Sequence, residues 1–222
     1  MKISDIQVRR KPRQSRAKLT QEALQESFVR LLHERAAHDI TIREITDLAG
    51  VGLGTFYEYF SNKEDLIALT IHRQVKNNAA DLKIYAQSLI ELSTYHDISD
   101  YLSQIIQFQI QQIQQQHVLW AHIFLLERQV SSQESYQKHY QLMTELWDEL
   151  LQPFMQPEKS RQRSALNLHR IIYGFISQTL LVNTHFKEWE DLTQDILAAT
   201  QSFICNLNAT VFSHAISKKS DI

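Results

Sequence analysis

Apolar residues recur along this chain at the three- and four-residue spacing of an amphipathic helix. Ala23, Leu24, Ser27, Phe28, Leu31 and Leu32 form one stripe, which predicts a helix from Arg16 to about Arg35. A second helix opens at Thr41, where Thr41-Ile42-Arg43-Glu44 fits a capping box. Its inward face is Ile42, Ile45, Leu48 and Ala49, and Gly50 follows where a left-handed helix terminus belongs. A short third helix covers Leu53 to Tyr59. A fourth starts after a second capping-box pattern, Ser61-Asn62-Lys63-Glu64, and runs through Leu66, Leu69 and Ile71 toward Ile84. Beyond residue 90 the pattern predicts helices near 98–115, 117–129, 133–152, 160–186 and 189–213. The glutamine-rich run Gln104 to Gln116 carries Ile105, Ile106, Ile110 and Ile113 at helical spacing and reads as a polar helix face. The fold class is all-α.

Composition narrows the class. Of 222 residues, 43% are hydrophobic and 22% charged, ordinary values for a water-soluble chain of one large or two small domains. The single Cys205 excludes an internal disulfide and, set among Phe203, Ile204 and Leu207, reads as a packed thiol in a reducing compartment. No apolar stretch follows the early basic residues, so no signal peptide is expected. The apolar run Val118 to Leu126 is broken by His122 and falls well short of the roughly 20 residues of a membrane span. These features predict a cytoplasmic protein with no membrane partner. Net charge is −2, but residues 1–20 balance to +6, leaving −8 for the remainder. A basic arm on an acidic body suggests a polyanion met by one end.

Three of the four glycines fall at Gly50, Gly52 and Gly54. Such a cluster could cradle a phosphate or turn the chain between two helices. A dinucleotide fingerprint needs G-x-G-x-x-G after a strand, whereas the spacing here is G-x-G-x-G after a helix. No Gly-Lys pair occurs, which removes a P-loop. Two short helices about a tight turn, with a supporting helix before them, make a helix-turn-helix. In it Val51, Phe56 and Phe60 are spaced to face the first helix. Leu53, Gly54, Thr55, Tyr57, Glu58 and Tyr59 fall on the outside of the third, toward a DNA major groove. Bare Gly54 and short Thr55 permit close approach, and the two tyrosine hydroxyls can donate to phosphates. Arg43 can reach a phosphate or a guanine edge, and Lys63 can clamp a phosphate.

The segment Thr41 to Leu66, with its Ala-Gly-Val turn, Gly-Thr-x-Tyr, and a Phe followed by x-x-Lys-Glu, resembles the N-terminal signature of the TetR family of bacterial transcription regulators. The resemblance covers roughly residues 11–70. It implies DNA contacts at Arg43, Thr55, Tyr57, Tyr59 and Lys63. Two positions depart from the family pattern. Gly52 replaces the usual serine N-cap, losing a hydroxyl at a cost of a few tenths of a kcal/mol. Glu58 puts an anion on the DNA-facing side, either to accept from cytosine N4 or to pair with a cation of its own chain. Lys11, Arg13 and Arg16 stand before the first helix, where such arms enter a minor groove or touch phosphates.

The acidic body offers no catalytic constellation. His33 and His38 are five apart, which turns one off the other's helix face, and neither a metal site nor a cofactor is expected. The resemblance implies that this half binds an unknown small-molecule inducer and forms a homodimer. Aromatic and polar candidates for a pocket are Phe108, His117, Trp120 and Phe124, then Tyr136, Tyr140, Trp147 and Tyr173; core packing is the competing assignment for each. Apolar candidates for a dimer face are Leu166, Ile171, Ile172, Phe175, Ile176 and Leu180 in one helix. In the next they are Leu192, Ile196, Leu197, Phe203 and Ile204; packing within one chain competes here too. The expected organisation is a basic arm (1–15), a helix-turn-helix DNA-binding domain (16–62) and a helical ligand-binding and dimerisation domain (63–222). The expected function is a repressor released from a near-palindromic double-stranded operator by a ligand. The alternative is a helical architectural or adaptor protein that binds DNA without an inducer.

Overall fold

A computed structural model describes residues 15–201, with side chains from Ala17 onward. The described residues are helical with short connections. α1 spans Ser15–Leu32, α2 Ile42–Ala49, α3 Leu53–Tyr59 and α4 Lys63–Leu92, with a 3-10 turn at Ala37–Asp39 between the first two. α5 (Ile98–Gln115), α6 (His117–Val130), α7 (Gln133–Leu151) and α8 (Glu158–Val182) follow. Residues 189–201 form α9. The all-α reading holds. α4 runs past the expected Ile84 to Leu92, where Ser93 takes a left-handed conformation (φ 51°).

The chain divides into two compact units that do not follow chain order. Of the described residues, one comprises 15–77 and 116–140, the other 78–115 and 141–201. α4 therefore contributes its first half to one unit and its second half to the other. The linear division expected at residue 62/63 falls near the start of α4, within the first unit.

In the first unit, Leu24, Phe28 and Leu32 of α1 are fully buried together with Ile40, Ile45, Phe56, Phe60 and Leu66. Burying such side chains contributes about 1.5–3 kcal/mol each relative to exposure. Arg73 of α4 donates to Gln25 Oε1 (3.2 Å) and Glu26 Oε1 (3.4 Å) of α1. Deeper in this unit, His139 Nδ1 and Glu127 Oε1 share a 2.9 Å hydrogen bond, and the His72 ring stacks on His139 at 5.5 Å. In the second unit, Tyr101, Leu102, Ile105 and Ile110 of α5 are buried, as are Trp147 and Leu151 of α7 and Leu168 and Ile172 of α8. Arg161 binds Asp148 with two bonds, 2.9 and 3.2 Å, tying α8 to α7.

Candidate nucleic-acid interface

α2 is held at both ends by its own sequence. Thr41 Oγ1 accepts from Glu44 N (3.3 Å), and Glu44 Oε2 accepts from Thr41 N (2.8 Å) and from the Thr41 hydroxyl (2.7 Å). Arg35 Nη2 adds a 2.7 Å bond to Glu44 Oε1. The Thr41 N–H and hydroxyl, aided by Arg35, hold the Glu44 carboxyl down to about 2 from an ordinary 4.5. At the other end Gly50 adopts φ 67°, ψ 30°, a left-handed residue that closes the helix, and Val51 N donates back to Thr46 O at 3.0 Å. Only glycine takes this conformation without a Cβ penalty. Gly52 then caps α3 in extended conformation without a side-chain bond, its carbonyl accepting from Thr55 N at 2.9 Å.

This turn fixes which side of α3 faces out. Leu53 and Tyr57 are 44% and 43% exposed, Gly54 and Glu58 are exposed, and Thr55 is half-buried. A Cβ built on Gly54 meets nothing within 4 Å, so the fold itself makes no demand for glycine there. Arg43 is exposed on α2. Phe56 and Phe60 are buried, with rings 5.3 Å apart.

Three placements differ from the sequence reading. Tyr59, expected on the outside, is 4% exposed, because it lies three residues after buried Phe56 on the same helix face. Its ring belongs to the small core. Leu48, expected inward, is 40% exposed, and buried Thr46 takes the inward place, its hydroxyl bonded to Arg43 O at 2.8 Å. The Lys63 ammonium donates to Ala37 O and Ile40 O, both at 2.8 Å, closing the carbonyl end of the 3-10 turn. An ammonium carries three donors, so at most one is left for a phosphate. The cap of α4 is also shifted by one residue from the expected pattern. Asn62 Oδ1 accepts from Asp65 N (2.8 Å), and Asp65 Oδ2 accepts from Ser61 N (3.0 Å). Lys11 and Arg13 lie outside the described residues; the Arg16 backbone lies in the first turn of α1, but its side chain is outside them.

Residues 28–69 match the model of the family described as bacterial regulatory proteins, tetR family. Over these residues, which take in the helix-turn-helix, the chain is similar to the TetR family. The rest of the chain shares the fold of TetR-type regulators at low identity. A TetR transcriptional regulator from Rhodococcus sp. RHA1 is 16% identical, with a TM-score of 0.62 over 87% of this chain and 100% of its own. FadR of Thermus thermophilus, a TetR-family transcriptional repressor solved in complex with lauroyl-CoA, is 16% identical (TM-score 0.61, 82% of this chain, 93% of its own). NalD of Pseudomonas aeruginosa, the secondary repressor of the MexAB-OprM multidrug efflux pump, is 18% identical (TM-score 0.55, 85% and 96%). At these identities the likeness is one of fold. No curated protein is significantly similar in sequence.

Against that TetR-like frame the residues expected in a ligand pocket separate. Trp120 and Phe124 are buried in the first unit, where His117 and Tyr140 are half-buried and Tyr136 is exposed. In the second unit Trp147 is fully buried, while Phe108 and Tyr173 are half-buried. Phe108 stacks on Tyr85 at 4.2 Å beside an open groove of about 390 Å³, lined also by Asp81, Ile84, Ser88 and Gln112. Within this unit the Trp147 indole N–H, the Tyr101 hydroxyl and Gln109 Oε1 are buried with no hydrogen-bond partner among the described residues. Sequence reading missed Tyr101 and Gln109. Burial, with the nearby Tyr95, pushes the Tyr101 hydroxyl up to about 12, so it stays a neutral donor.

The residues expected at a dimer face separate as sharply. Ile172, Ile176, Leu180, Leu192, Ile196 and Leu197 are each at most 8% exposed within one chain, so they offer little surface to another. Leu166 and Ile171 are half-buried, and Phe175 is 37% exposed on the same α8 face as Val182, at 86%. Phe203 and Ile204 lie outside the described residues. No helix among the described residues is long and apolar enough to cross a membrane, and none of their His, Cys, Asp and Glu side chains form a group placed to hold a metal.

Proposed function

We propose that this chain is a DNA-binding transcription regulator that lays α3 in the major groove of an operator and is released from it by a small molecule. One observation carries the reading. A reciprocally capped α2 and a left-handed Gly50 hold a seven-residue α3 whose Leu53, Gly54 and Tyr57 stay exposed. Arg43 reaches the DNA from α2 and Tyr57 donates to a phosphate, while Lys63 has one N–H left to give to a DNA phosphate. The arm residues Lys11, Arg13 and Arg16 add sequence-independent phosphate contacts. One such helix reads only a few base pairs, so the regulator acts as a homodimer on a near-palindromic site, paired through the exposed α8 face of Ile171, Phe175 and Val182.

The regulatory half rests on the second unit. Three buried polar atoms without partners there suit a ligand carrying both a hydrogen-bond acceptor and a donor. A fold relative was solved in complex with lauroyl-CoA, which supports an acyl-CoA among the ligands to try. A ligand that favours one arrangement of α5, α7 and α8 biases α4, which is continuous with the DNA-binding unit, and so weakens operator binding.

Selection of bound fragments from the source genome, followed by nuclease protection, tests this. The expected result is a short, nearly palindromic protected segment whose occupancy falls on titration with amphipathic small molecules, acyl-CoAs included. Uniform enrichment of all fragments supports the architectural reading instead. Specific binding that no compound alters removes the inducer.

A further inference from the structure

We infer that this protein selects its half-site through thymine 5-methyl groups, with Leu53 as the side chain that reads them; the inference rests on the DNA-binding reading above. α3 offers DNA a narrow set of contacts. Its sequence is Leu-Gly-Thr-Phe-Tyr-Glu-Tyr, without arginine, lysine, asparagine or glutamine. Those four side chains supply the bidentate or cationic patterns that recognise guanine and adenine in the major groove. Phe56 and Tyr59 are buried, which leaves Leu53, Thr55, Tyr57 and Glu58 as the side chains accessible to a duplex. The hydroxyls of Thr55 and Tyr57 donate or accept and discriminate little. Glu58 only accepts, so it offers nothing to the acceptors N7 and O6 on the major-groove edge of guanine.

Leu53 remains. It is 44% exposed at the first position of the recognition helix. Its neighbours Gly52 and Gly54 have no side chain, and a Cβ at either would meet nothing within 4 Å of its own chain. Leu53 is therefore the single side chain projecting from residues 52–54, with bare backbone on both sides that permits close approach to base edges. The thymine methyl is the one apolar group on the major-groove edge of the bases, and contact between the two removes apolar surface from water on both partners.

The test uses the operator obtained by genomic selection, the full-length chain and a Leu53→Ala variant. Deoxyuridine, which lacks only the methyl, replaces thymidine one position at a time, and binding is measured at fixed salt. The inference predicts about fourfold weaker binding per methyl removed at one or two positions in each half-site, the size expected from about 0.8 kcal/mol per buried carbon. At those positions Leu53→Ala binds the thymidine and deoxyuridine duplexes alike, with the salt dependence of the parent. Because Leu53 is exposed, the variant melts as the parent does. Indifference of the parent to uracil at every position, or full discrimination retained by Leu53→Ala, overturns the inference while leaving the DNA-binding reading standing. Failure to select any fragment overturns both.

Discussion

Glu44 shows how much a single residue decides here. It closes the capping box with Thr41 and pairs with Arg35, so one carboxylate anchors the start of α2 to the chain that follows α1. Its proton affinity is lowered in the folded state, to about 2 from 4.5. A depressed carboxyl stabilises the fold in full above its unfolded value and loses that contribution as pH falls toward the folded one. The gap in melting temperature between the parent and Glu44→Gln is therefore widest above pH 5 and closes toward pH 2. A gap constant across that range contradicts the assignment. The capping box was legible in the sequence because its partners are three residues apart. The role of Lys63 was not, since the carbonyls it binds belong to Ala37 and Ile40, more than twenty positions earlier. Tyr59 stood between these cases. Its i+3 relation to buried Phe56 already placed it on the inner face, and its hydroxyl drew the reading outward.

At the scale of elements, the bounds of α2 and α3 were readable because polar caps and glycines punctuate them. α4 was not so punctuated. Nothing before Ser93 stops a helix, and buried Leu82, Ala86 and Leu89 carry its apolar stripe past Ile84 toward Leu92. Apolar pattern also cannot distinguish a face packed within the chain from one packed between chains. Only burial separates Ile172, Ile176 and Leu180, which are consumed within the protomer, from Ile171, Phe175 and Val182, which are not. The exposed set yields a prediction for α8. Phe175→Glu places a charge on the proposed pairing face without disturbing the core, so sedimentation should show dimers for the parent and monomers for the variant. Dimers of undiminished stability in Phe175→Glu would move the interface elsewhere.

At the scale of the molecule, chain order and packing order diverge. The first unit combines residues 15–77 with 116–140, so α6 and the start of α7 belong with the helix-turn-helix although they follow it by many residues. A linear reading of composition and motif had no means of seeing that. What it did see was the glycine-marked turn, and the central claim depends on what that turn presents. Gly54 is exposed, helical and surrounded by open space, so its own chain tolerates a larger residue, and leucine favours a helix more than glycine does. The most direct measurement is operator binding by Gly54→Leu alongside its melting temperature. The account predicts a melting temperature equal to or above the parent's and no specific binding, because the leucine occupies space that the DNA needs. A folded Gly54→Leu that binds the operator as tightly as the parent would show that α3 does not enter the groove.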